Sequence, residues 1–377
     1  MELKKDIWHY PRTELAQKYV ETMNIGLSNT LALFAPRRMG KTEFLRRDLT
    51  PAAEKAGYGV IYVSLWEVRK DPGRALINEI EAHEQSLLTR AIRKIQKGPK
   101  ITVGGGFAGA HASMTIGGEG DNLSSQDVVD LGQSLRRLAE GRRKVLLLID
   151  EVQTLADDAH YGELVAALRS ALNRHGDRVK AIFTGSSQEG LRLMFNREKA
   201  PLYQFGQQLS FPVMGEGFVQ HLLNTYSKIT QKTLDFERAW QTFVALERVP
   251  LYFRSLLENM ILTDTEDMEL ALQAIRGEME QSANYQEKWE QLRPMDRAVL
   301  LQINRPAKVY SEANRLEIDR FLGVPAGTTK IPGIQQAIKR LSHQGIITRE
   351  GGQGVYGIED PMFAAWVQKI AENKEKK

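Results

Sequence analysis

Residues 30–42 read TLALFAPRRMGKT: a short apolar run, a turn, and then Gly40, Lys41 and Thr42 opening a segment of helical pattern, EFLRRDL. A strand that feeds a tight loop into a helix N-terminus builds a cradle of backbone N–H groups, where unpaired donors and the helix dipole favour anions. In such a loop Gly40 lets the backbone close on a phosphate, Lys41 reaches the β- and γ-phosphate oxygens, and the Thr42 hydroxyl binds Mg²⁺. Pro36, Arg37, Arg38, Met39 and Glu43 complete the expected nucleotide-binding set. Ala35 stands where such loops carry their first glycine, and alanine costs more than glycine at positive φ. The competing reading is a lysine at an ordinary helix start.

Residues 144–151, KVLLLIDE, support the first reading. The consecutive apolar residues suit a strand buried on both faces of a parallel sheet. Asp150 and Glu151 fall at its C-terminal end, where open α/β sheets gather their ligands. Asp150 is expected to hold magnesium through Thr42 or a bound water, and Glu151 to polarise a water in line with a γ-phosphate. An Asp-Glu pair ending a strand is common alone; here it follows the loop at about the separation that two βα units require. Gln153 is a candidate for orienting the water or the loop.

Further strands read at 58–65, at 180–183 running into Thr184, Gly185, Ser186 and Ser187, and at 207–213. Ser186 or Thr184 is a candidate for reading a γ-phosphate by hydrogen bond, and a plain turn of small residues is the alternative. Arg192 and Arg197 are candidates for an arginine finger delivered to a neighbouring subunit of a homo-oligomer.

The 377 residues suffice for two or three domains. The absence of cysteine excludes disulfides and Cys-based zinc sites. Lys and Arg number 51 against 47 Asp and Glu, a net charge of +4 that permits nucleic-acid binding without arguing for it. Residues 1–19 are charged and broken by Pro11, unlike a signal peptide, and no apolar run approaches the ~20 residues of a membrane span. The expected location is the cytoplasm, with no membrane contact.

Residues 75–97 are helical in pattern and end in a basic run, Arg90, Arg93, Lys94, Lys97 and Lys100, either a solvated face or a polyanion contact. The glycine-rich residues 98–122 read as an inserted hairpin or a surface loop. From 215 to 292 the pattern is wholly helical. There Pro250 precedes a helix and Arg254 lies one turn in, so Pro250 is placed to rest on an adenine and Arg254 to reach phosphates when this lid closes. Pro250 is equally readable as an ordinary first-turn proline. Residues 295–303, 311–322 and 332–344 then make three helices, and 346–358 a hairpin, the winged-helix arrangement. If its third helix reads duplex DNA, Lys330, Gln335, Gln336, Lys339 and Arg340 are the exposed tools; otherwise it is a protein-packing module. The expected fold is α/β: a P-loop NTPase parallel sheet core over 1–214, an α-helical lid over 215–292, and a C-terminal winged-helix domain and tail over 293–377.

In order, the strings APRRMGKT, LLLIDEVQ, FTGSS, VPLYFR and YGIEDPMFAAW resemble the archaeal-type ATPases of the STAND branch of AAA+-related P-loop proteins. The resemblance covers nearly the whole chain outside 98–122. It implies an ATP-dependent switch whose helical lid and winged helix close over the nucleotide. Lys41, Thr42, Asp150 and Glu151 match the family's phosphate, magnesium and base positions, Ser186 looks like its sensor, and Pro250 like its base-contacting proline. Arg12 resembles a motif near the adenine. Ala35 and the pair Arg248-Val249 depart from glycine-containing positions. No Asn-Lys-x-Asp guanine-reading motif is present, which favours ATP over GTP. Two outputs follow: an ATPase coupled to DNA, or a regulatory or scaffold ATPase whose winged helix contacts protein only.

Overall fold

The computed structural model describes residues 6–67, 71–96, 124–156, 161–186, 188–195, 200, 202–282, 284–303, 309–349 and 355–375. The 98–122 insert, Lys97, Lys100, Ser187, Arg197 and the 350–354 turn lie outside these residues, as do the side chains of Arg90, Arg93, Lys94 and Arg192.

Helix α1 (Thr13–Asn24) precedes strand β1 (Thr30–Phe34). The loop then enters α2 (Lys41–Glu43), which continues through a π-helical stretch (Phe44–Leu49) into α3 (Thr50–Lys55). The widened turn lies just ahead of Pro51, which has no N–H to donate and crowds the carbonyl four residues back. Strand β2 (Gly59–Ser64), α4 (Pro72–Gln96), α5 (Ser125–Glu140) and β3 (Val145–Asp150) follow. A 3₁₀ turn (Val152–Ala156), α6 (Gly162–Arg174), β4 (Val179–Gly185), α7 (Gln188–Phe195) and β5 (Gln207–Ser210) complete this section.

The five strands form one parallel sheet in the order β2-β3-β4-β1-β5. Every residue of β3 and β4 is buried. Alternation sends Leu31, Leu33, Leu146, Leu148 and Ile182 to one face, and Ala32, Leu147, Ile149, Ala181 and Phe183 to the other. Each fully buried leucine contributes about 1.5–3 kcal/mol. The fifth strand stops at Ser210, short of the expected 213. Phe211 still donates its N–H to the Phe34 carbonyl at 2.8 Å, but Pro212 has no N–H to continue the ladder.

Helices α8 (Glu216–Thr230), α9 (Phe236–Ala245), α10 (Pro250–Leu262), α11 (Met268–Ser282) and α12 (Tyr285–Gln291) make the helical section. Three more, α13 (Pro294–Ile303), α14 (Glu312–Leu322) and α15 (Ile331–His343), lead to the antiparallel hairpin β6 (Ile347–Arg349) and β7 (Tyr356–Ile358), a winged helix closed by α16 (Pro361–Glu375). Ser311 caps α14, and Gly323 ends it in the left-handed conformation. One buried cluster runs from Leu148 on the sheet through Phe218, Phe253 and Leu256 to Ile338 and Phe363. The helical section and winged helix therefore share the apolar face on which the loop helix sits.

The winged helix corrects one expected DNA tool. Arg340 donates from both Nη2 and Nε to Asp296, at 2.5 and 3.2 Å, and the Asp296 side chain is 3% exposed. Removing one partner of such a pair leaves an uncompensated buried charge. Arg340→Ala is therefore expected to lower unfolding free energy by about 3 kcal/mol, read from the urea midpoint. Among the described residues, no helix is long and apolar enough to cross a membrane.

Candidate active site

Because β3, β4 and β1 are neighbours, their C-terminal ends deliver Asp150, Thr184 and the 35–42 loop to one edge of the sheet. Register sets the alignment: Ile149 pairs with Phe183, and Gly185 with Phe34. The loop curls through two left-handed residues, Arg38 at φ 69° and Gly40 at φ 83°. Ala35, at the expected glycine position, has no positive φ, so alanine carries no backbone penalty there. Arg38 carries the strain instead, about 1–3 kcal/mol for a non-glycine residue.

Lys41 is buried, and its ammonium donates to the carbonyls of Ala35 at 2.7 Å and Pro36 at 2.9 Å. Burial pushes its pKa below the ordinary value; the carboxylates of Glu151 and Asp150 oppose this, Arg37 adds to it, and Glu359 opposes it. Asp150 is buried among three hydroxyls. Thr42 Oγ1 donates to its Oδ2 at 2.6 Å, the Tyr62 hydroxyl to the same oxygen at 3.2 Å, and Thr184 Oγ1 to Oδ1. Burial, with the charge of Asp150, pushes the Tyr62 phenol well up, so it stays a donor. Thr184 therefore serves Asp150, while Ser186 meets Glu151 instead.

Glu151 is itself left-handed, φ 58°. Its Oε2 accepts from the Ser186 amide at 3.2 Å, from Ser186 Oγ at 2.6 Å, and from Gln153 Nε2. Gly185 makes room: an added Cβ would lie 2.5 Å from Gln153 Oε1. Arg37 reaches the same group, with its Nε 3.4 Å from Ser186 Oγ and its guanidinium 4.6 Å from the Trp66 ring centre.

The other arginines have separate tasks. Arg38 lies over the Tyr252 ring at 5.1 Å and donates to its hydroxyl, tying the loop to α10. The charge of Asp360 acts on both Tyr252 and Tyr285, and the Tyr285 hydroxyl donates to Asp360 Oδ2 at 3.2 Å. Asp360 in turn caps α16 through the amides of Met362 and Phe363. Polar interactions thus run from the loop to the C-terminal helix. Arg12 stacks at 4.3 Å from the Phe211 ring centre and donates to the Pro212 carbonyl at 2.8 Å, pinning α1 to the exit of β5. Arg254 pairs with Asp6 at 3.3 Å. Pro250 is buried at the first position of α10. Ahead of it Glu247 and Arg248 are both left-handed, φ 55° and 53°, where the resemblance places a glycine. Arg248 holds that bend by donating to the Met214 carbonyl at 2.5 Å and lying 5.3 Å from the Trp240 ring centre.

A cavity of about 1070 Å³ opens beside the loop. Arg37, Arg38 and Ser186 line it from the core, and Lys339, Arg349 and Glu359 from the C-terminal region. Gln335 also lines it. Of the residues read from sequence as DNA-facing, Gln335 and Lys339 line this cavity together with the loop arginines, while Lys330 and Gln336 do not. Sequence reasoning missed Tyr62, Trp66, Tyr252 and Tyr285. The alternation of β2 was the available signal for Tyr62; the others depend on docking.

The donor set fits a magnesium–nucleotide complex. The loop offers a curled backbone and a buried cation to phosphate, and Thr42 with Asp150 offers oxygen ligands of the hard type that Mg²⁺ takes.

Solved structures share this fold. A Walker-type ATPase of Pyrococcus abyssi matches with a TM-score of 0.57 at 18% identity, over 96% of this chain and 100% of its own. The ORC2 protein of Aeropyrum pernix, solved in ADPNP–ADP complexes, gives 0.52 at 13% identity over 97% of this chain and 93% of its own. Its ADP form gives 0.52 at 14% identity over 96% and 93%. No protein-family model matches the sequence, and no curated protein matches it. At these identities the likeness establishes the fold of P-loop ATPases, and the residue roles rest on the geometry.

Proposed function

We propose that this protein, with the fold of a P-loop ATPase, binds ATP and hydrolyses it as a molecular switch of the AAA+/STAND type. The observation that carries the reading is the meeting, at one sheet edge, of a buried Lys41 in a curled loop, the Thr42–Asp150 contact and the Glu151–Ser186 contact. Lys41 and the loop amides hold the phosphates, with Arg38 and Met39 in the curl and Glu43 behind it. Magnesium, held by Thr42 and Asp150, neutralises phosphate charge when bound. Glu151 orients a water towards the γ-phosphate and takes its proton, once Ser186 passes from the carboxylate to the phosphate. Pro250 packs near the base, and Arg254 is free to reach the phosphates only on leaving Asp6. The test is release of inorganic phosphate from Mg-ATP by the whole chain; no nucleotide binding at millimolar ATP overturns the reading.

In this reading the chain divides at 1–214, 215–292 and 293–377, works in the cytoplasm, and passes nucleotide state to the winged helix. The output is duplex DNA or a protein. Gln335, Lys339 and Arg349 lining the cavity beside the loop favour a winged helix that contacts its own core or a protein partner in the closed form. Binding of duplex DNA then requires opening. Lys339→Ala, which leaves the Arg340–Asp296 pair intact, is the informative variant. A DNA output predicts a salt-sensitive shift of duplex DNA that weakens in Lys339→Ala, with a salt slope smaller by about 1. No shift at low salt, with or without ATP, leaves the protein-binding switch.

A further inference from the structure

The guanidinium of Arg37 lies close enough to two lysines, Lys41 and Lys288, for its charge to act on both. Arg37 pushes the pKa of Lys41 down, and it adds to the burial that lowers Lys288. Like charges converge at a cost unless anions lie among them; here Glu151 and Asp150 offset it at Lys41, and Asp360 and Glu359 at Lys288. Within this group Arg37 is distinctive, because it shares Ser186 with Glu151. Its Nε lies 3.4 Å from the Ser186 hydroxyl, which donates to the Glu151 carboxylate at 2.6 Å. Its guanidinium stacks at 4.6 Å on Trp66, just past the C-terminal end of β2, so a rotamer-rich side chain is already held at the catalytic edge. A planar guanidinium with several donors suits phosphate oxygens better than a point charge does.

We propose that Arg37 is a catalytic arginine supplied in cis: it donates to the γ-phosphoryl oxygens as hydrolysis proceeds, so the reaction is complete within one chain. This rests on the ATPase reading above. The water oxygen bonds to the γ-phosphorus as the bond from phosphorus to the β–γ bridging oxygen breaks. The electron pair leaves on ADP, and the water proton passes through Glu151 to the phosphate product. Arg37 takes no proton; it spreads the charge that develops on the transferring group. Stacking on Trp66 and contact with Ser186 hold it ready, and its move to the phosphoryl group frees Ser186 and unstacks Trp66.

The test compares the unaltered chain with Arg37→Ala and Arg37→Lys. ATP affinity is read by titration, turnover by phosphate release, and the transition-state complex by trapping of ADP with aluminium fluoride while mass in solution is followed. Arg37→Ala is expected to lower kcat by roughly 10³-fold, the lower end of what a supplied arginine contributes. ATP affinity should change little, and Arg37→Lys should not restore the rate. The unaltered chain should trap ADP–fluoroaluminate as a monomer, with a change in tryptophan emission that is absent in Trp66→Phe. Turnover per chain should not rise with protein concentration. Normal turnover and trapping in Arg37→Ala, or trapping only in an assembly, overturns the cis assignment while leaving the ATPase reading intact. Absence of ATP binding by the unaltered chain overturns the ATPase reading, and the assignment with it.

Discussion

Glu151→Gln is expected to keep ATP and lose its turnover, with kcat down by about 10²–10⁴-fold. The substitution is nearly isosteric. Glu151 holds a left-handed backbone at φ 58° and accepts from the Ser186 amide and hydroxyl through one carboxylate oxygen. A glutamine carbonyl can accept in the same place, so the strained turn and the Ser186 contact survive. What disappears is the negative charge and the capacity to take a proton from water. Removing a negative charge close to Lys41 also lowers the repulsion felt by an anionic ligand, so ATP affinity should stay level or increase. Equilibrium titration and phosphate release, run on the same preparation, separate the two effects. Unchanged turnover removes Glu151 from the role of base.

Lys41→Ala is expected to have the opposite profile: nucleotide binding falls by about 10²-fold or more, while the free protein folds as before. A charge-assisted hydrogen bond contributes about 1.5–3 kcal/mol, and Lys41 is placed to make more than one with phosphate oxygens. The ammonium is buried with a depressed pKa, so its charge is a burden to the free protein that only loop carbonyls, the nearby acids and a bound anion relieve. Alanine removes that burden with the contacts. The measurement is the thermal midpoint with and without Mg-ATP. Ligand at 100 times its Kd stabilises the unaltered chain by about 2.7 kcal/mol. In Lys41→Ala that increment should vanish and the ligand-free midpoint should hold. A retained increment means that the loop binds phosphate without its lysine.

These two residues were legible because each sits in a local pattern. TLALF followed by Gly40-Lys41-Thr42 reads as strand, turn and helix start, and VLLLID reads as a buried strand with a carboxylate at its end. The three helices of the C-terminal region beside a hairpin were likewise local, because period and turn residues lie within a dozen positions of one another. The expectation about Ala35 erred for a local reason of another kind. Which loop residue takes positive φ depends on how the whole curl closes, and here Arg38 and Gly40 take it.

Contacts between distant segments were not legible. Arg38 meets Tyr252, 214 residues away, and Arg37 meets Ser186 across 149. Arg340 looked like an exposed cation on its helix wheel, yet Asp296 on a neighbouring helix claims it. The sequence by itself determined the α/β core, the loop chemistry, the order of elements and the winged helix, since those follow from spacing along one chain segment. Only the tertiary structure decided that β1 inserts between β4 and β5, that Ser186 rather than Thr184 faces Glu151, that Arg37 leans on Trp66, and that Lys339 lines the cavity beside the loop. Strand register and helix docking depend on the summed fit of many side chains from different segments, and no short window of sequence carries that sum.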